Sequence, residues 1–73
     1  MSVEFTDYAL MRMRLRDILI EEVEDAIAAP PSRHTHRLDG RIEVRNRARR
    51  KALLVVYRRD GNNVVVINAM WEN

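Results

Sequence analysis

Prolines 30 and 31 divide this 73-residue chain into two parts with different hydrophobic periods, and that division limits what it can fold into. Proline cannot donate to a helical ladder and pushes its predecessor toward extended backbone, so no helix crosses Pro30-Pro31. Before the prolines, apolar residues recur at three and four; after them they recur at two. The expected fold is α+β: two N-terminal helices packed on a four-stranded antiparallel sheet, in a single domain spanning residues 1–73.

The first helix is expected over residues 8–16, with Thr6-Asp7 capping the orphan N–H groups of its first turn. Ala9, Leu10 and Met13 form its buried stripe, widened by Met11 and Leu15. Tyr8, Arg12 and Arg16 stand four apart and share a neighbouring face. Asp17-Ile18-Leu19 connects to a second helix over 20–28, with Ile20, Val23, Ala26 and Ile27 on its apolar side. Glu21, Glu22, Glu24 and Asp25 cover the other side and favour the positive helix N-terminus. Strands are expected over 33–38 and 41–47, joined at Asp39-Gly40 by a two-residue hairpin. Residues 51–58 are apolar on both faces, as suits a central strand covered by helices on one side. Asp60-Gly61-Asn62 then turns the chain into a last strand over 63–71, whose Met70 and Trp71 are expected to close the core.

A chain this short buries only about 60% of its unfolded surface, and small domains often lean on disulfides, a metal or a partner. The sequence has no cysteine, which removes disulfides and cysteine-ligated zinc and fits a reducing compartment. A partner protein or a homodimer is therefore expected. No apolar run approaches the roughly 20 residues of a membrane helix. The N-terminus lacks the basic stretch and apolar block of a secretory signal. The expected location is the cytoplasm, away from the membrane.

The net charge of +2 hides an asymmetry. Residues 1–31 carry three Arg against seven acids, whereas residues 32–59 carry nine Arg and Lys51 against Asp39 and Glu43. A half this basic suits a polyanion such as RNA, or an acidic protein segment. Arg33, Arg47, Arg49, Arg50, Lys51 and Arg58 are the candidate RNA contacts, since the guanidinium fork matches phosphate oxygens.

Most enzyme signatures are missing. The only glycines, Gly40 and Gly61, sit in turns and build no phosphate loop, and neither Ser2 nor Ser32 lies in a nucleophile elbow. His34 and His36 have a spacing that can chelate zinc, but no third ligand is evident, so they read as two surface histidines. The remaining constellation is cationic: Tyr8, Arg12 and Arg16 on the first helix, with Arg45, Arg47, Tyr57 and Arg58 on strands. Such groups can cut RNA without a metal if one takes the 2′-OH proton, another protonates the leaving oxygen, and arginines hold the phosphorane charge.

The run Tyr8-Ala9-x-x-Arg12-Met13-x-x-Arg16-x-Ile18 resembles the opening of the family known as domain of unknown function 4258. The resemblance continues through Glu21-Glu22-Val23-Glu24, Gly40-Arg41 with Arg45, Leu53-Leu54-Val55-Val56-Tyr57 and Val66-Ile67-Asn68-Ala69. That family is similar to RelE/ParE-like and BrnT toxins. The resemblance implies a RelE/ParE-like fold and a metal-independent, cofactor-free endoribonuclease. It would be one half of a toxin–antitoxin pair, acting on free or ribosome-bound RNA and restrained by a cognate antitoxin. Its site would be Tyr8, Arg12, Arg16, Arg45 and Tyr57, to which charge and place add Arg58. The chain departs from the family pattern at Tyr8, where the family has His, and at Asp17, where it has Gly. It departs again at Leu19, where a small capping residue is usual, and at Asn68, where Thr is common. A phenol is a poor base beside an imidazole. The alternative is thus a non-catalytic RNA- or protein-binding member of the same fold. A third reading is an interaction domain whose arginines only confer solubility. The nuclease reading requires Arg12 and Arg16 to converge with Arg45 in one anion pocket.

Overall fold

The computed structural model describes residues 2–72. In chain order the elements are β1 (Val3–Phe5), α1 (Asp7–Arg16), α2 (Ile20–Ile27), a 3-10 turn (Pro31–Arg33), β2 (His34–His36), β3 (Ile42–Ala48), β4 (Lys51–Asp60) and β5 (Asn63–Glu72). The class is α+β with two helices, as the periods demand, but the sheet has five strands in the order β1-β5-β4-β3-β2. Four of them are antiparallel to their neighbours, while β1 runs parallel to β5 and makes the sheet mixed. Three residues are too few to display a period, so β1 is invisible until β5 pairs with it.

Local chemistry sets the helix ends. Thr6 Oγ1 accepts from Ala9 N–H at 3.0 Å and caps α1. At the other end Asp17 is left-handed (φ 55), and Ile18 N–H donates to Met13 O at 2.8 Å, the wrapped ending that glycine usually provides. Leu19 cannot cap α2 with its side chain, but Glu22 Oε1 accepts Leu19 N–H at 2.9 Å. α1 is then tied to β5 at both ends: Thr6 N–H donates to Val66 O at 3.1 Å, and Trp71 Nε1–H donates to Arg16 O at 2.7 Å.

Both helices lie on one sheet face. Ala9, Met13, Ile18, Val23 and Ala26 pack there against Ile42, Val44, Leu53, Val55, Tyr57, Val64, Val66 and Ala69. Trp71 packs against this core, as expected, whereas Met70 faces the other way on β5. The buried stripe of α1 is narrower than its sequence implies. Only Ala9 and Met13 are buried, while Leu10, Met11 and Leu15 stay largely exposed, Leu15 at 70%. Ile20 of α2 is exposed as well. A single row of contacts suffices when a helix meets a sheet, and the flanking positions then face solvent.

The hairpins differ in kind. Between β2 and β3 the chain uses three loop residues, Leu38, Asp39 and Gly40 (φ 87), closed by Arg37 N–H to Arg41 O at 2.8 Å. This corrects the two-residue expectation: Gly40 takes the left-handed position of a bulged turn, and Asp39 Oδ1 accepts Arg41 N–H at 3.0 Å. Ala48 pairs with Lys51 across a two-residue turn in which Arg49 (φ 52) and Arg50 (φ 65) are both left-handed. Arginine is disfavoured there. Arg49 compensates by bonding Glu22 Oε2 at 2.7 Å and Asp17 Oδ2 at 3.2 Å, donating to Asp17 O, and lying 5.2 Å over the Trp71 ring. The contact clamps the β3–β4 turn to the α1–α2 junction. No helix among the described residues is long and apolar enough to cross a membrane.

Two stability outcomes follow from the clamp and its turn. Arg50→Gly removes a left-handed arginine and is expected to stabilise the fold by about 1 kcal/mol, seen as a higher urea midpoint at unchanged slope. A lower midpoint would show that the Arg50 side chain matters more than its backbone strain. Burial works to raise the Glu22 pKa, but the Arg49 and Leu19 hydrogen bonds and the Arg49 charge prevail and hold it below the ordinary 4.5. A depressed carboxyl stabilises fully above its unfolded pKa and loses that contribution as pH falls through the folded value. Arg49→Ala should therefore show a shallower fall in melting temperature between about pH 5 and pH 3 than the parent.

Candidate functional site

Alternation along β4 and β5 places apolar residues on the face that no helix covers. There Leu54 pairs with Met70, Val56 with Asn68, and Arg58 with Val65. One residue of β5, Ile67, is inserted where the register shifts opposite Val56 and Tyr57. Val56, Ile67 and Met70 floor an open groove of about 1080 Å³. Thr6 and Tyr8, at the start of α1, form one bank, and Arg37, Leu38, Asp39 and Arg41 of the β2–β3 hairpin form the other. Leu38, at the hairpin tip, is fully exposed.

The hairpin bank is basic but internally paired. Arg37 Nη2 meets Glu43 Oε1 at 2.9 Å, and Arg41 Nε lies 3.8 Å from Asp39 Oδ2. Arg45 holds Glu72 through Nε at 3.0 Å and Nη2 at 3.3 Å, with Nη1 3.9 Å from Glu43. Exposed pairs of this kind are worth about 0–1 kcal/mol, so an incoming anion can displace the carboxylates.

The five residues expected to form a nuclease site do not come together. Arg12 Nε donates to the Tyr8 hydroxyl at 2.9 Å and its guanidinium lies 5.2 Å from the ring centroid, so both stand on the α1 bank. Arg45, two residues on from Glu43 on β3, belongs to the same open face. Arg16 is held at the β5 edge: its Nη1 donates to Ala69 O at 2.8 Å and to Asn68 Oδ1 at 3.2 Å, and Asn68 in turn lines the groove. Tyr57 is buried on the helix-covered face, and its hydroxyl lies 2.8 Å from His34 Nδ1. Arg16 and Arg45 share no partner, Arg16 being held by β5 and Arg45 by Glu72 and Glu43, and Tyr57 is separated from Arg45 by the thickness of the sheet.

The six expected RNA contacts are scattered too. Arg33 bonds Asn46 Oδ1 at 3.1 Å, Arg47 bonds Arg50 O at 3.0 Å, and Arg49 forms the clamp. Arg50 sits in the tight turn and Lys51 lies 5.3 Å over Trp71. By the same alternation Arg47, two residues on from Arg45, and Arg58, two residues on from Val56, share the open face, though neither lines the groove. Sequence reading passed over Arg37 and Arg41 as site residues, and the floor residues Val56, Ile67 and Met70 as well. The available signal was β4, apolar on both sides in a chain whose helices could cover only one.

The histidines also differ from expectation. His34 is half-buried, with Nε2 2.9 Å from Ala29 O and Nδ1 on the Tyr57 hydroxyl. A carbonyl only accepts, so Nε2 carries a hydrogen, and in the neutral ring Nδ1 accepts from Tyr57 O–H. Both nitrogens are engaged, which leaves no free nitrogen lone pair for a metal. His36 alone remains a surface residue.

No protein-family model matches the chain, no curated protein matches it, and no solved structure matches it.

Burial raises the Tyr57 pKa above 10.0, with the Arg59 charge acting against it. A group raised in the folded state stabilises fully below its unfolded pKa and loses that contribution as pH rises through the folded value. Tyr57→Phe is expected to cost about 1–2 kcal/mol near neutrality by stranding His34 Nδ1. The variant should also lose less stability than the parent above about pH 10, as read by urea melts across pH.

Proposed function

We propose that this chain is a non-catalytic, toxin-type binding protein whose open sheet face takes an acidic, amphipathic protein segment of the kind an antitoxin supplies. The observation that carries this reading is the groove itself, with an aliphatic floor of Val56, Ile67 and Met70 beneath a bank holding Arg37 and Arg41. Methyl and thioether groups bury the apolar face of a helix or strand well, and the arginines can trade Glu43 and Asp39 for a partner's carboxylates. Single-stranded RNA prefers aromatic platforms on which bases stack, and Tyr8 is the one aromatic residue lining this groove. A cysteine-free chain of this kind suits work in a reducing cytosol.

The Tyr8–Arg12 pair favours a second reading, the metal-independent endoribonuclease. A scissile phosphate between the two banks would meet Arg12 on one side and Arg37, Arg41 and Arg45 on the other. Tyr8 would then have to move the proton that a His moves in the family the chain resembles. With Tyr57 and Arg16 engaged elsewhere, this site lacks a second proton-transfer group among the expected residues.

Fluorescence anisotropy with an acidic amphipathic helical peptide and a single-stranded RNA of equal charge separates the two. The peptide is expected to bind more tightly. Val56→Asp should weaken it about ten-fold or more while changing RNA binding little. Chelator-treated protein should leave the RNA intact. Cleavage that disappears in Arg12→Ala would instead establish the nuclease.

A further inference from the structure

A second cavity, of about 200 Å³, opens on the helix-covered side of the sheet, beyond the point where α2 ends. Ile27, Ala29 and Pro31 make its apolar wall, and the strands opposite contribute His34 and His36 from β2 and Tyr57 and Arg59 from β4. We propose that this pocket is a binding site for a phosphate group, free or carried by a small phosphomonoester.

Three observations carry the inference. The first is charge. No carboxylate lines the cavity, whereas the arginines of the groove and of the clamp are each paired with one. The side chains of Arg59 and His36 make no hydrogen bond or ion pair with any described residue, so a guanidinium fork and an imidazole line a polar hollow without partners of their own. Charge-assisted bonds from Arg to phosphate are among the stronger a surface pocket can offer.

The second observation is rigidity. His34 is fixed at both nitrogens, by Ala29 O at 2.9 Å and Tyr57 O–H at 2.8 Å, with the two rings edge to face at 85°. The pocket wall is therefore set before a ligand arrives, which lowers the cost of ordering it. Arg59 belongs to the same cluster, since its charge acts on the Tyr57 hydroxyl.

The third observation gives selectivity. With the His34 ring neutral, the Tyr57 hydroxyl directs its hydrogen to Nδ1, because the ring's one hydrogen is on Nε2, held by the Ala29 carbonyl. Its oxygen can then only accept from a ligand in the cavity. A phosphate that retains one proton can donate a P–O–H to Tyr57 while its charged oxygens take Arg59 and His36. Sulfate, fully ionised near neutrality, has no hydrogen to donate, and it would oppose lone pair to lone pair at a buried oxygen. The arrangement thus separates two tetrahedral anions of similar size.

The test titrates the intact protein at constant ionic strength and about pH 6, where a phosphomonoester keeps roughly half of its last proton. Imidazole signals in NMR spectra are followed against inorganic phosphate, a nucleoside 5′-monophosphate, the bare nucleoside and sulfate. The two phosphates are expected to saturate with a dissociation constant on the order of 1 mM, and sulfate to bind about ten-fold more weakly. The nucleoside should produce no shift. A monophosphate about ten-fold tighter than inorganic phosphate would identify the ligand as a phosphomonoester, and equal affinities would identify free phosphate. Arg59→Gln and His36→Asn, both at exposed positions, should each weaken phosphate about ten-fold with the melting temperature unchanged. Arg14→Gln, an exposed arginine on α1, is the control for loss of one charge and should leave binding intact. Sulfate binding equal to phosphate, saturation indifferent to Arg59→Gln, or no saturation by about 20 mM phosphate would each overturn the proposal. The outcome is independent of the groove, which lies on the other sheet face and is probed by peptide and not by phosphate.

Discussion

Two helices of ten and eight residues must cover a five-stranded sheet, and they are too small to cover it twice. At 1.5 Å per residue they reach about 15 and 12 Å, whereas the sheet is about 19 Å across. Strands β4 and β5, ten residues each, extend about 30 Å. Both helices go to one face because their junction is short and is clamped by Arg49, which reaches Glu22 and Asp17. Everything apolar on the other face is then left without cover. Leu54 and Val65 are buried there only by their neighbours, and Val56, Ile67 and Met70 become the floor of a groove.

The same constraint sorts the arginines. Two of them serve the fold: Arg49 clamps a strained turn, and Arg16 satisfies the Ala69 carbonyl where β5 runs past β1. Arg37, Arg41 and Arg45 on the open side pair loosely with Glu43, Asp39 and Glu72 in solvent, where such pairs contribute little and exchange readily. A basic composition therefore overstates the cationic surface. Charge counted along the chain cannot distinguish a guanidinium held by two carboxylates from one lining a cavity that holds no carboxylate, and Arg49 and Arg59 are these two cases.

Much of the architecture was legible because it depends on local rules. Pro30-Pro31 ends the helical part, Thr6 caps α1, and Gly61 turns β4 into β5 at φ 62. The parts that escaped depend on distant partners. β1 becomes a strand only because Val64, Val65 and Val66 pair with it. His34 is interior because Tyr57 and Ala29 enclose it from two other elements. Tyr57 was placed in a nuclease site by its type, yet its position in the alternation of β4, in phase with Leu53 and Val55, already assigns it to the core. Leu10, Met11 and Leu15 erred in the other direction: a helix resting on a sheet buries a narrower stripe than one inside a bundle.

The residues of the first helix and its junction acquire a physical explanation once these contacts are known. Ala9 is fully buried against the sheet, where a larger side chain would lift α1 away. Met13 fills the next turn. Asp17 takes the left-handed position that glycine usually fills at a helix end. Arg16 reaches Asn68, whose Oδ1 accepts. Each of these positions joins α1 to β5 or closes the α1–α2 junction. The pattern Ala9-x-x-x-Met13-x-x-Arg16 is thus a docking code for a helix before it is a catalytic one. Once Arg16 and Tyr57 are assigned to the fold, the expected site residues left for a partner are Tyr8 and Arg12, paired at the groove's α1 bank, and Arg45 on the open face, whose exposed pair with Glu72 is exchangeable.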